Sequence, residues 1–168
     1  GIKCVHAPEG NCDAVAEHAL GMLLMLFNNL KKADNEVRKG LWLRNENRGV
    51  ELAGKTVGII GYGNMGSAFA KRLQGFNCKV LVYDKFKKGF GSDFIVEASM
   101  DQLYKECDLV SLHIPYNIDN HYLVDEQFIS SFKNNFYIIN TARGKCLNTE
   151  ALMKAIQSEK VLGACLDV

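Results

Sequence analysis

A chain of 168 residues with 48% hydrophobic content is long enough to bury one sizeable core. Its 20 Lys and Arg against 19 Asp and Glu leave a formal charge of +1, which argues against nucleic acid or anionic membrane as a partner. The six cysteines form no Cys-x-x-Cys pair and the longest apolar stretch, 19–27, is too short to span a bilayer, so a disulfide framework, a zinc or other metal site and a membrane anchor are set aside in favour of a soluble cytoplasmic protein.

Asn11 or Asp13 is placed to cap a helix whose apolar positions Val15, Ala19, Met22, Leu23, Leu26 and Leu30 recur at spacings of three and four. Its other sides are apolar too, which predicts packing on more than one surface. Residues 31–51 are polar around an isolated Trp42 and read as an extended arm, or as a second helix and a linker. Residues 1–50 are thus expected to form an N-terminal helix and arm leading into a domain over 51–168.

From Gly54 the pattern alternates between strand and helix. Strands are predicted at 56–60, 78–83, 94–96, 108–114, 136–140 and 161–166, with helices at 64–74, from Ser99, around 125–132 and from Asn148 or Thr149. Ser99 followed by Gln102 has the spacing of a capping box. Strands this apolar are covered on both faces, which predicts an α/β fold: a doubly wound parallel sheet with helices on each side.

The chemistry concentrates at strand ends. Gly61-Tyr62-Gly63-Asn64-Met65-Gly66 links a buried strand to a helix. Gly61 permits the tight turn, Gly63 leaves room for a pyrophosphate, and Gly66 lets the helix press on the sheet. The backbone N–H groups of Asn64 and Met65 open that helix, where unpaired donors favour a phosphate. Simple tight packing is the bland alternative for the glycines. Asp84, at the end of the next apolar run, suits the ribose hydroxyls of an adenosine and repels a 2′-phosphate, so NAD is expected over NADP in this Rossmann-type arrangement. The neighbouring Lys85, Lys87 and Lys88 weaken that preference slightly. Arg143 follows the strand 136–140, where open parallel sheets place their ligands. A guanidinium there suits a carboxylate, and spacing alone leaves a surface salt bridge equally open.

The blocks Pro8-Glu9-Gly10-Asn11, Ala14-Val15-Ala16-Glu17-His18, Gly54-Lys55-Thr56-Val57-Gly58-Ile59-Ile60-Gly61, Ser111-Leu112-His113-Ile114-Pro115, Ile139-Asn140-Thr141-Ala142-Arg143-Gly144 and Gly163-Ala164-Cys165-Leu166-Asp167-Val168 come in one order along essentially the whole chain. In them the chain resembles the NAD-binding domain of the D-isomer-specific 2-hydroxyacid dehydrogenases, D-3-phosphoglycerate dehydrogenase-like members among them. The resemblance implies hydride transfer between NAD and a small 2-hydroxy or 2-oxo acid, with Arg143 as the catalytic arginine. It places Thr141, Ala142 and Asp167 at the nicotinamide end and His113, Ile114 and Pro115 along the cofactor. It also implies a homodimer built through this domain. The family's proton-transferring histidine and its glutamate would fall beyond Val168, and most of the substrate domain outside this stretch, so the chain by itself is expected to be inactive. A start at Gly1 without Met fits a piece of something longer.

Two departures stand out: Asn120 where the family commonly has threonine, which puts one cofactor-side hydrogen bond in doubt, and Asn148 where it usually has aspartate. His6, His18 and His121 show no partner in sequence and read as structural or surface groups. An NAD(H)-sensing regulatory module of the same family is the alternative function. Tyr83 and Lys87 also match the Tyr-x-x-x-Lys of short-chain dehydrogenases, but they straddle a strand end instead of sharing a helix face. Trp42 reads as a dimer contact or as a lid.

Overall fold

The computed structural model describes residues 2–5, 7 and 9–168; His6 and Pro8 lie outside the described residues. Six strands form one parallel sheet: β1 (Thr56–Ile60), β2 (Lys79–Tyr83), β3 (Ile95–Glu97), β4 (Leu109–Leu112), β5 (Phe136–Asn140) and β6 (Val161–Leu166). Their spatial order is β3-β2-β1-β4-β5-β6, and every neighbouring pair is parallel. That order reverses direction between β1 and β4, the point where doubly wound sheets open a crevice for ligands.

Side-chain alternation builds a core on each face of the sheet. Val57, Ile59, Val80 and Val82 point to the face covered by α1 (Cys12–Phe27) and α3 (Asn64–Arg72). Ile60, Leu81, Val110, Leu112 and Ile138 point to the face covered by α4 (Met100–Glu106), α5 (Glu126–Ser131) and α6 (Thr149–Gln157). Each such side chain, fully withdrawn from water, contributes about 1.5–3 kcal/mol.

The α1 helix buries Ala16, Ala19, Leu23 and Phe27 and packs against both α3 and β6, as its many-sided apolar pattern predicts. Asn11 stands at its N-cap position without a side-chain hydrogen bond. The segment beyond contains a second helix, α2 (Leu30–Val37), which buries none of its side chains. Trp42 then projects from the arm at 80% exposure and does not fold back over the domain as a lid. N-caps open α4 and α6 as the spacing predicts: Ser99 Oγ accepts from Gln102 N–H (3.2 Å) and Asn148 Oδ1 from Ala151 N–H (3.1 Å).

Two elements differ from expectation. The fourth strand runs only over Leu109–Leu112: His113 N–H still donates to the Ile60 carbonyl (2.8 Å), and from there His113 and Ile114 line the crevice. The expected helix over 64–74 is α-helical only to Arg72 and tightens into a 3-10 turn over Leu73–Phe76. Asn77, in the left-handed region at φ 51°, then reverses the chain into β2.

Candidate functional site

The glycine turn leaves β1 at Gly61, whose φ of +97° disfavours any side chain, and a Cβ there would come within 2.5 Å of the His113 carbonyl oxygen. A Cβ on Gly66 would run into the Gly61 carbonyl oxygen, so α3 can cross the sheet this closely only with glycine. Gly63 is different: a Cβ there would meet nothing within 4 Å, leaving open space in front of the helix start. Gly63 is also the N-cap of α3 and offers no side chain to the helix's first N–H groups, which remain for an anion.

Asp84 is built into this turn. Its Oδ2 accepts from Tyr62 N–H (2.7 Å), and its Oδ1 accepts from Phe86 and Lys87 N–H (2.8 Å each). Partial burial pushes its carboxyl upward, but those three donors and the Lys87 charge outweigh burial and hold it below the ordinary value. The lysines that cast doubt on the NAD preference are all engaged. Lys85 lies 3.4 Å from Asp119, Lys88 lies 3.8 Å from Glu97, and Lys87 Nζ donates to the Tyr62 carbonyl (2.9 Å). Tyr83 ends a strand, so no Tyr–Lys pair shares a helix face.

Gly61, Gly63, Asp84, His113, Ile114 and Pro115 line one cleft of about 410 Å³. His113 Nε2 meets Ser111 Oγ at 2.9 Å, while Nδ1 is sealed from solvent without a partner. Burial draws the ring down to about 4, so it is neutral at physiological pH. Asn120 Nδ2 donates to the Pro115 carbonyl (2.7 Å), bracing the loop beside the cleft. Tyr62, within the turn, points its ring elsewhere and stacks on Phe90 at 4.4 Å. Asn64 and Met65 open α3, with Asn64 exposed and Met65 half-buried.

Thr141, Ala142, Arg143 and Asp167 gather at the neighbouring carboxyl ends of β5 and β6. Buried Asn140 organises them: its Oδ1 accepts from Ala142 N–H (3.0 Å), its Nδ2 donates to the Arg143 carbonyl (3.0 Å), and its own carbonyl accepts from Asp167 N–H (3.1 Å). Arg143 is exposed, its Nη1 donating to the Ala142 carbonyl (2.6 Å), with no carboxylate partner among the described residues. Thr141 Oγ1 is buried and unpartnered. A larger groove of about 700 Å³ lies between α1, α2 and β6, and none of the expected site residues lines it.

Residues 20–168 match the family described as D-isomer specific 2-hydroxyacid dehydrogenase, NAD binding domain. The chain belongs to it. Hydroxypyruvate reductase of Thermotoga maritima is 37% identical over 169 residues, covering 100% of this chain and 55% of that protein. D-3-phosphoglycerate dehydrogenase of a Synechocystis species is 36% identical over 170 residues, covering 100% and 31%. D-lactate dehydrogenase of Aquifex aeolicus, solved with NAD and lactic acid, superposes with a TM-score of 0.88 at 40% identity, covering 97% of this chain and 50% of that one. The chain spans about half the length, or less, of the proteins it matches.

As an NAD-binding domain of these dehydrogenases, the chain has residues that fit the dinucleotide. The space before Gly63 is open, Asp84 lines the cleft with an acceptor position of Oδ2 uncommitted, and Thr141 Oγ1 and His113 Nδ1 are buried polar atoms still without partners. Sequence reasoning quoted Asn140 and Ser111 only as motif letters. Only 1% and 0% exposed, they support the site from beneath, Asn140 through Ala142 and Arg143 and Ser111 through His113. A polar residue inside an otherwise apolar strand was the available signal. His18, which shows no partner in sequence, lies 3.2 Å from Asp167, and His121 Nδ1 meets Tyr116 Oη at 3.2 Å.

Proposed function

We propose that this chain is the cofactor-holding part of an oxidoreductase that moves a hydride between NAD and C2 of a small D-2-hydroxy acid. The observation that carries the proposal is the 2.7 Å bond from Tyr62 N–H to Asp84, which seats a carboxylate directly beside the open space at Gly63. In this reading the Gly61-to-Gly66 turn takes the pyrophosphate, Asp84 the adenosine ribose, and His113, Ile114 and Pro115 the cofactor's flank. Thr141, Ala142 and Asp167 receive the nicotinamide end.

NAD supplies the hydride acceptor or donor when bound. Arg143, free of a carboxylate partner, pairs with the substrate carboxylate and places positive charge where negative charge grows on the carbonyl oxygen. Alcohol oxidation also releases a proton. Among the described histidines, His113 is neutral with Nδ1 sealed, His18 faces Asp167 and His121 faces Tyr116, and the family resemblance gives the proton acceptor to a histidine outside residues 1–168. The division into a helix and arm over 1–50 and a dinucleotide-binding unit over 51–168 belongs to the same proposal.

Within this class, D-3-phosphoglycerate dehydrogenase-like activity in serine biosynthesis is the narrower reading, supported by the Synechocystis relative. A cytoplasmic setting is supported by six free thiols, four of them buried. A homodimer is supported by the exposed Leu41, Trp42 and Leu43 of the arm beside the groove along α1 and α2.

Calorimetric titration of the chain with NADH tests the central reading. Saturable binding is expected, weakened about ten-fold or more by Asp84→Ala, with no measurable dehydrogenase turnover. Absence of heat at saturating NADH overturns it.

A further inference from the structure

His18 sits within α1, outside the alternating strand–helix run, yet its Nε2 comes within 3.2 Å of Asp167 Oδ1 just past the end of β6. Both side chains are about half exposed, at 53% and 51%, so the contact lies at the protein surface and not in the sealed core. It is not what holds α1 down. Ala16, Ala19, Leu23 and Phe27 already do that from within the core, and exposed pairs add little to stability. His18 has no rival acid on its own helix, because Asp13 and Glu17 both turn to Arg72, at 2.8 and 3.3 Å.

The backbone of Asp167 is fixed by its N–H bond to the Asn140 carbonyl (3.1 Å), and Asn140 in turn holds the backbone of Ala142 and Arg143. The Asp167 carboxylate has His18 as its one basic side chain within ion-pair distance among the described residues. A carboxylate offers two acceptor oxygens; holding one in place aims the other.

We propose that His18 is a positioning residue for Asp167, holding Oδ1 so that Oδ2 is presented to the carboxamide of the nicotinamide ring at the ends of β5 and β6. The proposal rests on the reading of Asp167 as a nicotinamide-end residue of an NAD-binding domain. Its physical content is preorganisation: a carboxylate already held in one rotamer has less freedom to lose when the ligand arrives. It also gives α1 a part in the site, though the helix lies outside the fold's nucleotide-binding run.

Titrations with NADH and with ADP-ribose, which lacks the nicotinamide, separate this role from a merely structural one. The wild-type chain is expected to bind both, NADH more tightly. His18→Ala is expected to weaken NADH about three- to five-fold while leaving ADP-ribose unchanged. His18→Gln, whose amide N–H reaches toward the same oxygen, is expected to restore most of the loss. In an Asp167→Asn background, His18→Ala is expected to add nothing further. Equal weakening of both ligands, no change in either, or an effect that persists in the Asp167→Asn background overturns the proposal. A wild-type chain that binds ADP-ribose and NADH equally well overturns it too. A wild-type chain that binds neither ligand refutes the NAD-binding reading itself and takes this proposal with it.

Discussion

His113 shows how one side chain ties the cleft to the pH range in which the domain stands. The residue is half-buried, Nδ1 is sealed without a partner, and burial lowers the group from 6.5 to about 4. An unfolded chain takes up this proton near pH 6.5, whereas the native chain holds out to about 4. The stability linked to the neutral ring is therefore fully present above pH 6.5 and is lost as pH falls through about 4. The displacement corresponds to about 3 kcal/mol. Urea denaturation of wild type and His113→Gln at pH 7.5 and pH 4.5 checks this: the wild type is expected to lose more on acidification, by about that amount. Parallel losses in the two proteins would show that other groups carry the acid sensitivity. At the same scale, the place of Asp84 just past the second strand was legible, while its three backbone donors were not, because they come from Tyr62, Phe86 and Lys87 only after the turn has closed.

Elements were legible wherever a local rule decides them. The strands over 136–140 and 161–166 appear with the bounds that their apolar runs predict: β5 is buried on both faces, while β6, at the sheet edge, keeps Val161 and Cys165 inside and leaves Leu162 and Leu166 exposed. Asn148 replaces the usual aspartate without losing the job a short acceptor does there: it caps α6 through Ala151 N–H. Asn148→Ala is expected to cost about 1 kcal/mol of stability, read as a lowered midpoint in thermal denaturation, with NADH affinity little changed. The fourth strand was read too long because His113 and Ile114 continue its apolar pattern; what ends the strand is the crevice, a feature of the sheet and not of the segment. Residues 31–51 stayed open between arm and helix because their polar composition fits either. The structure holds a helix there that buries no side chain of its own.

For the molecule as a whole, the sheet order brings the cleft residues at the ends of β1, β2 and β4 beside the Arg143 loop and Asp167 at the ends of β5 and β6. The groove along α1, α2 and β6, with Trp42 80% exposed nearby, bears on assembly instead. Gel filtration at increasing concentration is expected to show a dimer that Trp42→Ala shifts toward monomer; a clean monomer throughout removes the dimer reading. Sequence by itself determined the parallel α/β architecture, the glycine turn and the family, because periodicity, glycine spacing and strand-end motifs act over a few residues. Only the tertiary structure decided that His18 meets Asp167, that Asn140 ties down the arginine loop and that Thr141 is left without a partner. Those facts depend on which strand lies beside which and where α1 docks. Such distances are set by packing across the sheet, between residues far apart in the chain.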